Sequence, residues 1–315
     1  MKEKARIAFI FPGQGSQYVG MGKELCREFA AAREVFEEAE QALSFPLSEL
    51  CFSGPEEELK LTKHAQPAIL AASIAALRAL ESVRPMTPLC VAGHSLGEYS
   101  ALVSAGALRF ADALKIVHER GKLMQEAVPA GRGAMAAIVG FPSEAVETIC
   151  RQAAQGEVVT LAGLNGAEQI VIAGARGAVL RAVALADERG AKKAAELPVS
   201  APFHCPLMVP AAEGLRKVLE GVAIHPYSTP VITNVEAAVN LDPARVKSLL
   251  IEQVTRPVRW EESVRKMESL GCQQVLELGP GKVLTGLVKR ISRVLKTHNL
   301  DAPKDLERFL IQPAA

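Results

Sequence analysis

Hydrophobic positions along the chain fall into two rhythms. In the first, short apolar runs of buried-strand type alternate with longer stretches of helical period. Ile7 to Phe11 is one such run, stopped by Pro12 and Gly13, and the stretch 23–43 has helical spacing with mixed charges on its outer face. Ile69, Leu70, Ile74, Leu77 and Leu80 form a helical stripe in which Pro67 sits where a first turn tolerates it. That stripe leads to a second short run, Leu89 to Ala92, after which 98–103 continues in helix-compatible residues. Phe110, Leu114, Val117, Gly121, Met124 and Val128 share one face of a helix predicted over 110–128. Gln274 to Leu278 reads as a further strand, turned by Gly279, Pro280 and Gly281 into a helix. Such alternation predicts an α/β fold with a mainly parallel sheet.

The second rhythm runs from 131 to 198. Strands are predicted at 134–139, 158–164 and 169–173, the last two joined around Asn165 and Gly166, with helices at 143–154, capped by Ser143, and at 179–189, stopped by Gly190. With a return strand over 191–197, the order β-α-β-β-α-β is that of a ferredoxin-like domain. The expected organisation is therefore a large α/β domain, 1–130 and 199–300, carrying a small ferredoxin-like domain inserted at 131–198, with 301–315 as a loosely held tail. The cleft between the two domains is the expected place for a site.

Bulk composition narrows the partners. At 315 residues, 49% of them apolar, the chain can bury a full core, and 36 basic against 35 acidic residues give no global field for nucleic acid or an anionic membrane. The six cysteines contain no Cys-x-x-Cys pair, which argues against zinc sites and a disulfide framework and favours a reducing, cytoplasmic setting. The apolar run after Lys2, Glu3, Lys4 and Arg6 is too short for a signal-peptide core, and the alanine-rich 67–80 is shorter than a bilayer span, so no membrane segment is expected. No long unpartnered apolar stripe is evident, and a monomer is the default expectation.

Chemistry concentrates at Gly93, His94, Ser95, Leu96 and Gly97, between the second strand and its helix. The pattern matches a nucleophile elbow, a sharp strand-to-helix turn that projects a serine and needs glycines where the backbone is crowded. The alternative is a glycine-bounded strand end with an ordinary serine. Of six histidines, His204 stands out as a base because it lies in a proline-bounded loop after the small domain, following Ala201, Pro202 and Phe203; a structural or exposed histidine is the competing reading. Arg120 breaks the face pattern of its helix, projecting at the edge of the buried stripe. It is either a snorkelling side chain or a guanidinium kept to grip a carboxylate. The glycine-rich loop Phe11 to Gln17 fails as a phosphate cradle, since Gln17 stands where glycine is required and Glu24 follows Lys23, but its backbone N–H groups suit an oxyanion.

Taken together, these segments resemble the malonyl-CoA:acyl carrier protein transacylase family over about Ile7 to Ile291. The marks are Phe-Pro-Gly-Gln-Gly-Ser-Gln at 11–17, Gln66 with Pro67, Gly-His-Ser-Leu-Gly-Glu at 93–98, and Arg120 with Gly121, Lys122, Met124 and Gln125. Asn165 with Gln169 to Gly174, His204, Gln253 to Trp260 and Glu277 to Gly281 complete the order. The resemblance implies a hydrolase-like α/β domain with a ferredoxin-like insert. It makes Ser95 the nucleophile and His204 its base, places the oxyanion hole at the N–H groups of Gln14 and Leu96, and gives the malonyl carboxylate to Arg120. Gln66, Asn165, Phe203 and Gln253 are implied to line the substrate site, Gln253 orienting His204. Gly163 departs from relatives that carry a second asparagine there, and Phe203 replaces a serine common in stand-alone members, which points to malonyl over methylmalonyl.

The implied activity is malonyl transfer from malonyl-CoA to the phosphopantetheine thiol of acyl carrier protein through a malonyl-serine, with no cofactor and no metal. The alternatives are a serine acyl hydrolase acting on carrier-bound acyl groups and the transferase subunit of malonate decarboxylase. Basic residues at Lys282, Lys289, Arg290, Arg293 and Lys296 are either a solvated face or a dock for an acidic carrier.

Overall fold

A computed structural model describes residues 6–166, 168–199 and 201–311. Its larger sheet contains β1 (Ile7–Phe11), β2 (Cys90–Gly93), β7 (Val231–Ile232), β8 (Val239–Asn240), β9 (Gln274–Leu278) and β10 (Lys296–Leu300), in the order β10-β9-β1-β2-β7-β8. Every pair is parallel except β7 with β8. The smaller sheet, β3 (Gly133–Val139), β4 (Val159–Leu164), β5 (Gln169–Ala175) and β6 (Lys193–Glu196), is antiparallel in the order β4-β5-β3-β6, with helices Ser143–Ala154 and Arg176–Glu188 connecting its strands. That order and hand-over of strands is the ferredoxin-like arrangement.

The apolar run of β1 is explained by burial on both faces. Ile7, Phe9 and Phe11 pack into one core with Ile69, Leu70 and Leu77 of the helix Thr62–Val83, whereas Ala8 and Ile10 join a second core with Trp260, Val264 and Val288. A third core, built around Ile138, Ile149, Ile172 and Val179, lies within the small domain. β1 lies between β2 and β9, so the chain runs off to both sides of it, and the ends of β1 and β2 align at Phe11 opposite Gly93. In open α/β sheets such a switch point, outside the carboxyl ends of the strands, is where ligands bind.

Several sequence expectations are corrected. The stretch 23–43 is two helices, Lys23–Glu28 and Ala30–Leu43, broken at Phe29, whose extended backbone lets its ring pack against the core while each helix buries its own stripe. Pro67 lies well inside its helix rather than in the first turn. The bond its missing N–H cannot make would fall on the Lys63 carbonyl, and that oxygen accepts from His118 Nδ1 at 2.8 Å instead. Ser143 is the first residue of its helix and makes no cap; Pro142 occupies the cap position. The expected loose tail is a helix, Pro303–Ile311, with Leu306 and Phe309 buried against the main core; 312–315 lie outside the described residues.

Candidate active site

Two glycines make the elbow possible. A Cβ on Gly93 would lie 1.9 Å from the Gly97 carbonyl carbon, and one on Gly97 would lie 2.1 Å from the Phe11 carbonyl oxygen. Between them Ser95 adopts φ 52°, a left-handed conformation that costs a non-glycine residue about 1–3 kcal/mol and needs support from its surroundings. That support comes from Asn234, just past β7 on the neighbouring strand. Its Oδ1 accepts the Ser95 N–H at 2.6 Å and its Nδ2 donates to the Gly93 carbonyl at 2.6 Å. The side chain therefore clamps both arms of the turn. Asn234 is not legible in the sequence, because a two-residue strand carries no readable alternation.

Ser95 Oγ lies 2.7 Å from Nε2 of His204. The imidazole's Nδ1 is 2.7 Å from the main-chain carbonyl of Gln253, which can only accept, so Nδ1 carries the proton and Nε2 is left to accept from the serine. His204, itself at φ 60°, is 6% exposed. Burial first, and the Arg120 cation second, push it down to about 3, so the ring is neutral when the serine needs a base. Among the described residues no carboxylate pairs with His204.

Arg120 is 1% exposed, not at a solvated edge, and its Cζ stands 5.5 Å from the centre of the Tyr99 ring. Its Nη1 donates to Gln66 Oε1 at 2.8 Å, and Nη2 donates to Gln253 Oε1 at 2.9 Å and to Ser95 Oγ at 3.2 Å. Each of these acceptors is neutral, and Nε has no partner among the described residues. Glu98, 2% exposed, reaches the same network, accepting from Gln253 Nε2 at 2.8 Å and from the Asn234 N–H at 3.1 Å. Burial pushes its carboxyl up to about 7, against hydrogen bonds from Gln253 and Asn234 that lower it.

The remaining predicted residues surround this centre. The loop after β1 is pressed onto the elbow, since a Cβ on Gly13 would meet the His94 carbonyl oxygen at 2.4 Å. Gln14 in that loop donates from Nε2 to Thr62 Oγ1 at 3.3 Å, and Leu96 opens the helix Gly97–Ser104, whose first N–H groups carry its positive end. Asn165, on the β4–β5 turn, hydrogen-bonds through Oδ1 to His94 Nε2 at 2.9 Å, tying the small domain to the elbow. Phe203 is buried in the main apolar core beside His204 in the chain, with no polar role. Thus Ser95, His204, Arg120, Gln66 and Gln253 share one network, Asn165 reaches it through His94, and Gln14, Leu96 and Phe203 adjoin it. Among the described residues no three His, Cys, Asp or Glu side chains form a group that could hold a metal ion, and no helix is long and apolar enough to cross a membrane.

The arrangement is chemically that of an acyl-transferring serine: an oriented base, a half-buried hydroxyl on a strained turn and a helix N-terminus beside it. Comparison with known proteins agrees. A malonyl CoA-acyl carrier protein transacylase of Bacillus subtilis is 51% identical over 304 residues, 96% of this chain and 96% of its own. The crystal structure of an acyl carrier protein S-malonyltransferase from Vibrio cholerae superposes with a TM-score of 0.94 at 47% identity, covering 96% of this chain and 99% of that one. A malonyl-transacylase in complex with its type II PKS acyl-carrier protein superposes with a TM-score of 0.93 at 44% identity, covering 96% of this chain and 97% of the other. The family model described as acyl transferase domain matches residues 8–300, and the chain belongs to that family.

Proposed function

We infer that this protein transfers the malonyl group from malonyl-CoA to the phosphopantetheine thiol of acyl carrier protein through a malonyl ester on Ser95. The observation that carries the substrate class is the buried guanidinium of Arg120, held by neutral acceptors alone. A desolvated cation with no anion in direct contact, joined to the Glu98 carboxyl through the Gln253 amide instead, is costly, and a substrate carboxylate lying across it would remove that cost while fixing the acyl group beside Ser95. A simple acyl chain offers no such compensation, which disfavours an acyl hydrolase.

In the first half-reaction His204 Nε2 takes the Ser95 proton as Oγ attacks the thioester carbonyl. The N–H groups of Gln14 and Leu96 stabilise the oxyanion, a donor of this kind being worth about 3 kcal/mol. The tetrahedral intermediate collapses, the C–S bond breaks, and His204 returns its proton to the departing CoA sulfur. The carrier's thiol then gives its proton to His204 and attacks the malonyl ester, the acyl C–Oγ bond breaks, and His204 returns the proton to Ser95 Oγ. Gln253 holds the imidazole through its carbonyl, and Gln66 braces Arg120 from the other side. The catalytic residues belong to the large domain proposed for 1–130 and 199–300, with Asn165 contributed by the 131–198 insert. Protein groups alone suffice for each step, and a cytoplasmic monomer is the proposed working form.

Intact mass after brief incubation with malonyl-CoA and, separately, acetyl-CoA tests this. A single malonyl adduct is expected, absent in Ser95→Ala and discharged by acyl carrier protein rather than by water. Rapid loss to water would favour the hydrolase, and discharge only to a malonate decarboxylase carrier would favour that enzyme's transferase subunit. Arg120→Ala should lower the malonyl-to-acetyl preference about tenfold or more; an unchanged preference would sink the carboxylate role.

A further inference from the structure

Glu98 has no place in the two half-reactions, yet its carboxylate is buried at the centre of the network. It is the second residue of the helix Gly97–Ser104 and faces inward, with Oε2 accepting from the Gln253 side chain at 2.8 Å and the Asn234 N–H at 3.1 Å. The amide of Gln253 joins it to Arg120. Nε2 spends its two hydrogens on Glu98 Oε2 and on the Ser95 carbonyl, 3.0 Å away, which leaves Oε1 aimed at Arg120 Nη2 at 2.9 Å. A guanidinium only donates, so the opposite amide orientation would set N–H groups against N–H groups.

We propose that Glu98 is a positioning residue for substrate selection: its carboxylate fixes the amide of Gln253 and thereby holds Arg120 in the orientation that receives the acyl group's carboxylate. The inference rests on the carboxylate role of Arg120. It assigns Glu98 no contact with substrate or reacting atoms. Its physical content is reach and acceptor capacity at one oxygen. An aspartate there keeps the charge but withdraws that oxygen by one methylene, a methionine fills the space without an acceptor, and a glutamine still offers a carbonyl oxygen to both donors.

The test is a double-mutant cycle read by the rate of Ser95 acylation from malonyl-CoA and from acetyl-CoA. Glu98→Asp and Glu98→Met are independent lesions, so loss of folding in one, seen by thermal melting, leaves the other. Either is expected to lower malonyl acylation about tenfold, with acetyl acylation changed by about threefold or less, as befits a lost hydrogen bond to a charged network. In an Arg120→Ala background the same substitution should cost almost nothing more. Glu98→Gln should restore most of the malonyl preference. Equal losses with both thioesters, the same fold-loss with and without Arg120, or a glutamine variant as impaired as the aspartate would each overturn the role of Glu98. An unchanged malonyl-to-acetyl ratio in Arg120→Ala alone overturns the carboxylate role itself, and this inference with it.

Discussion

Asn234 gives the sharpest test of how the nucleophile is held. Asn234→Ala keeps the main-chain N–H that serves Glu98 but deletes the two side-chain hydrogen bonds to the elbow, each 2.6 Å long. The Ser95 N–H and the Gly93 carbonyl are then left unpaired in a buried site, at about 1–3 kcal/mol each. Water entering the vacated space can repay part of this, which puts the expected loss near 3 kcal/mol. With an unfolding entropy of about 2.1 cal/mol/K per residue over 315 residues, that lowers the melting temperature by about 5 °C. The kinetic effect is the more specific one. Ser95 at φ 52° has lost the clamp that opposes its return to an ordinary backbone conformation. Displacing its hydroxyl from His204 by even part of the elbow's strain energy should slow acylation by about tenfold to a hundredfold. Stopped-time intact mass spectrometry with malonyl-CoA measures the slowed acylation, and thermal melting measures the lost stability. An Asn234→Ala variant that acylates within about twofold of the parent, whatever its melting temperature, would refute the clamp, because the strain would then be borne elsewhere.

Two further outcomes follow from the same geometry. His204, pushed down to about 3 from an ordinary value of 6.5, is protonated more readily in the unfolded chain, so it withdraws stability as the pH falls from 6.5 towards 3, by about 2 kcal/mol at pH 5. Glu98, raised from 4.5 to about 7, acts with the opposite sign, favouring the native state below pH 7; the contrast between parent and His204→Gln isolates the histidine, and the variant should gain relative stability on acidification. A melting-temperature difference that stays flat as the pH falls from about 7 to about 4.5 would contradict the buried neutral imidazole. Phe203→Ser, made beside the base in a buried apolar setting, should raise methylmalonyl relative to malonyl acylation in competition with the two thioesters, and an unchanged ratio would remove Phe203 from selectivity.

What could be read from the sequence depended on how local its physical cause was. The β-α-β-β-α-β order of the insert and the apolar run of β1 are set by short-range periodicity, and both appear in the structure. The elbow was legible because its crowding demands glycine at two fixed positions, Gly93 and Gly97. Breaks and caps were less so: Phe29 ends a helix that composition would continue, and Pro67 survives inside one because a histidine 51 positions away in the chain takes the orphaned Lys63 carbonyl. Arg120 marked itself only as an anomaly on its helix face. Its complete burial depends on Gln66 and Gln253, separated from it by 54 and 133 positions.

The residues that sequence patterning could not find share one property, namely that their function lies in a hydrogen-bond partner rather than in a residue type. Asn234 follows a strand of two residues, and its role exists only because β7 lies beside β2, bringing its amide to the elbow. Glu98 directly follows the elbow and closes the Gly-His-Ser-Leu-Gly-Glu segment, yet an acidic residue in a first helical turn has an ordinary explanation in the helix dipole. Only the fold shows that its oxygen is spent on Gln253 instead. The same logic explains why the base lacks an acidic partner. A main-chain carbonyl fixes the tautomer of His204 without placing a negative charge on the base, and the raised Glu98 carboxyl meets Arg120 through the Gln253 amide rather than by contact, which leaves the guanidinium open to the substrate carboxylate proposed for it. A carboxylate at the Gln253 carbonyl's place would raise the basicity of His204 but partly neutralise the attraction that selects the acyl group. On the proposed role of Arg120, specificity for an anionic substrate and a neutral partner for the base are consequences of one electrostatic requirement.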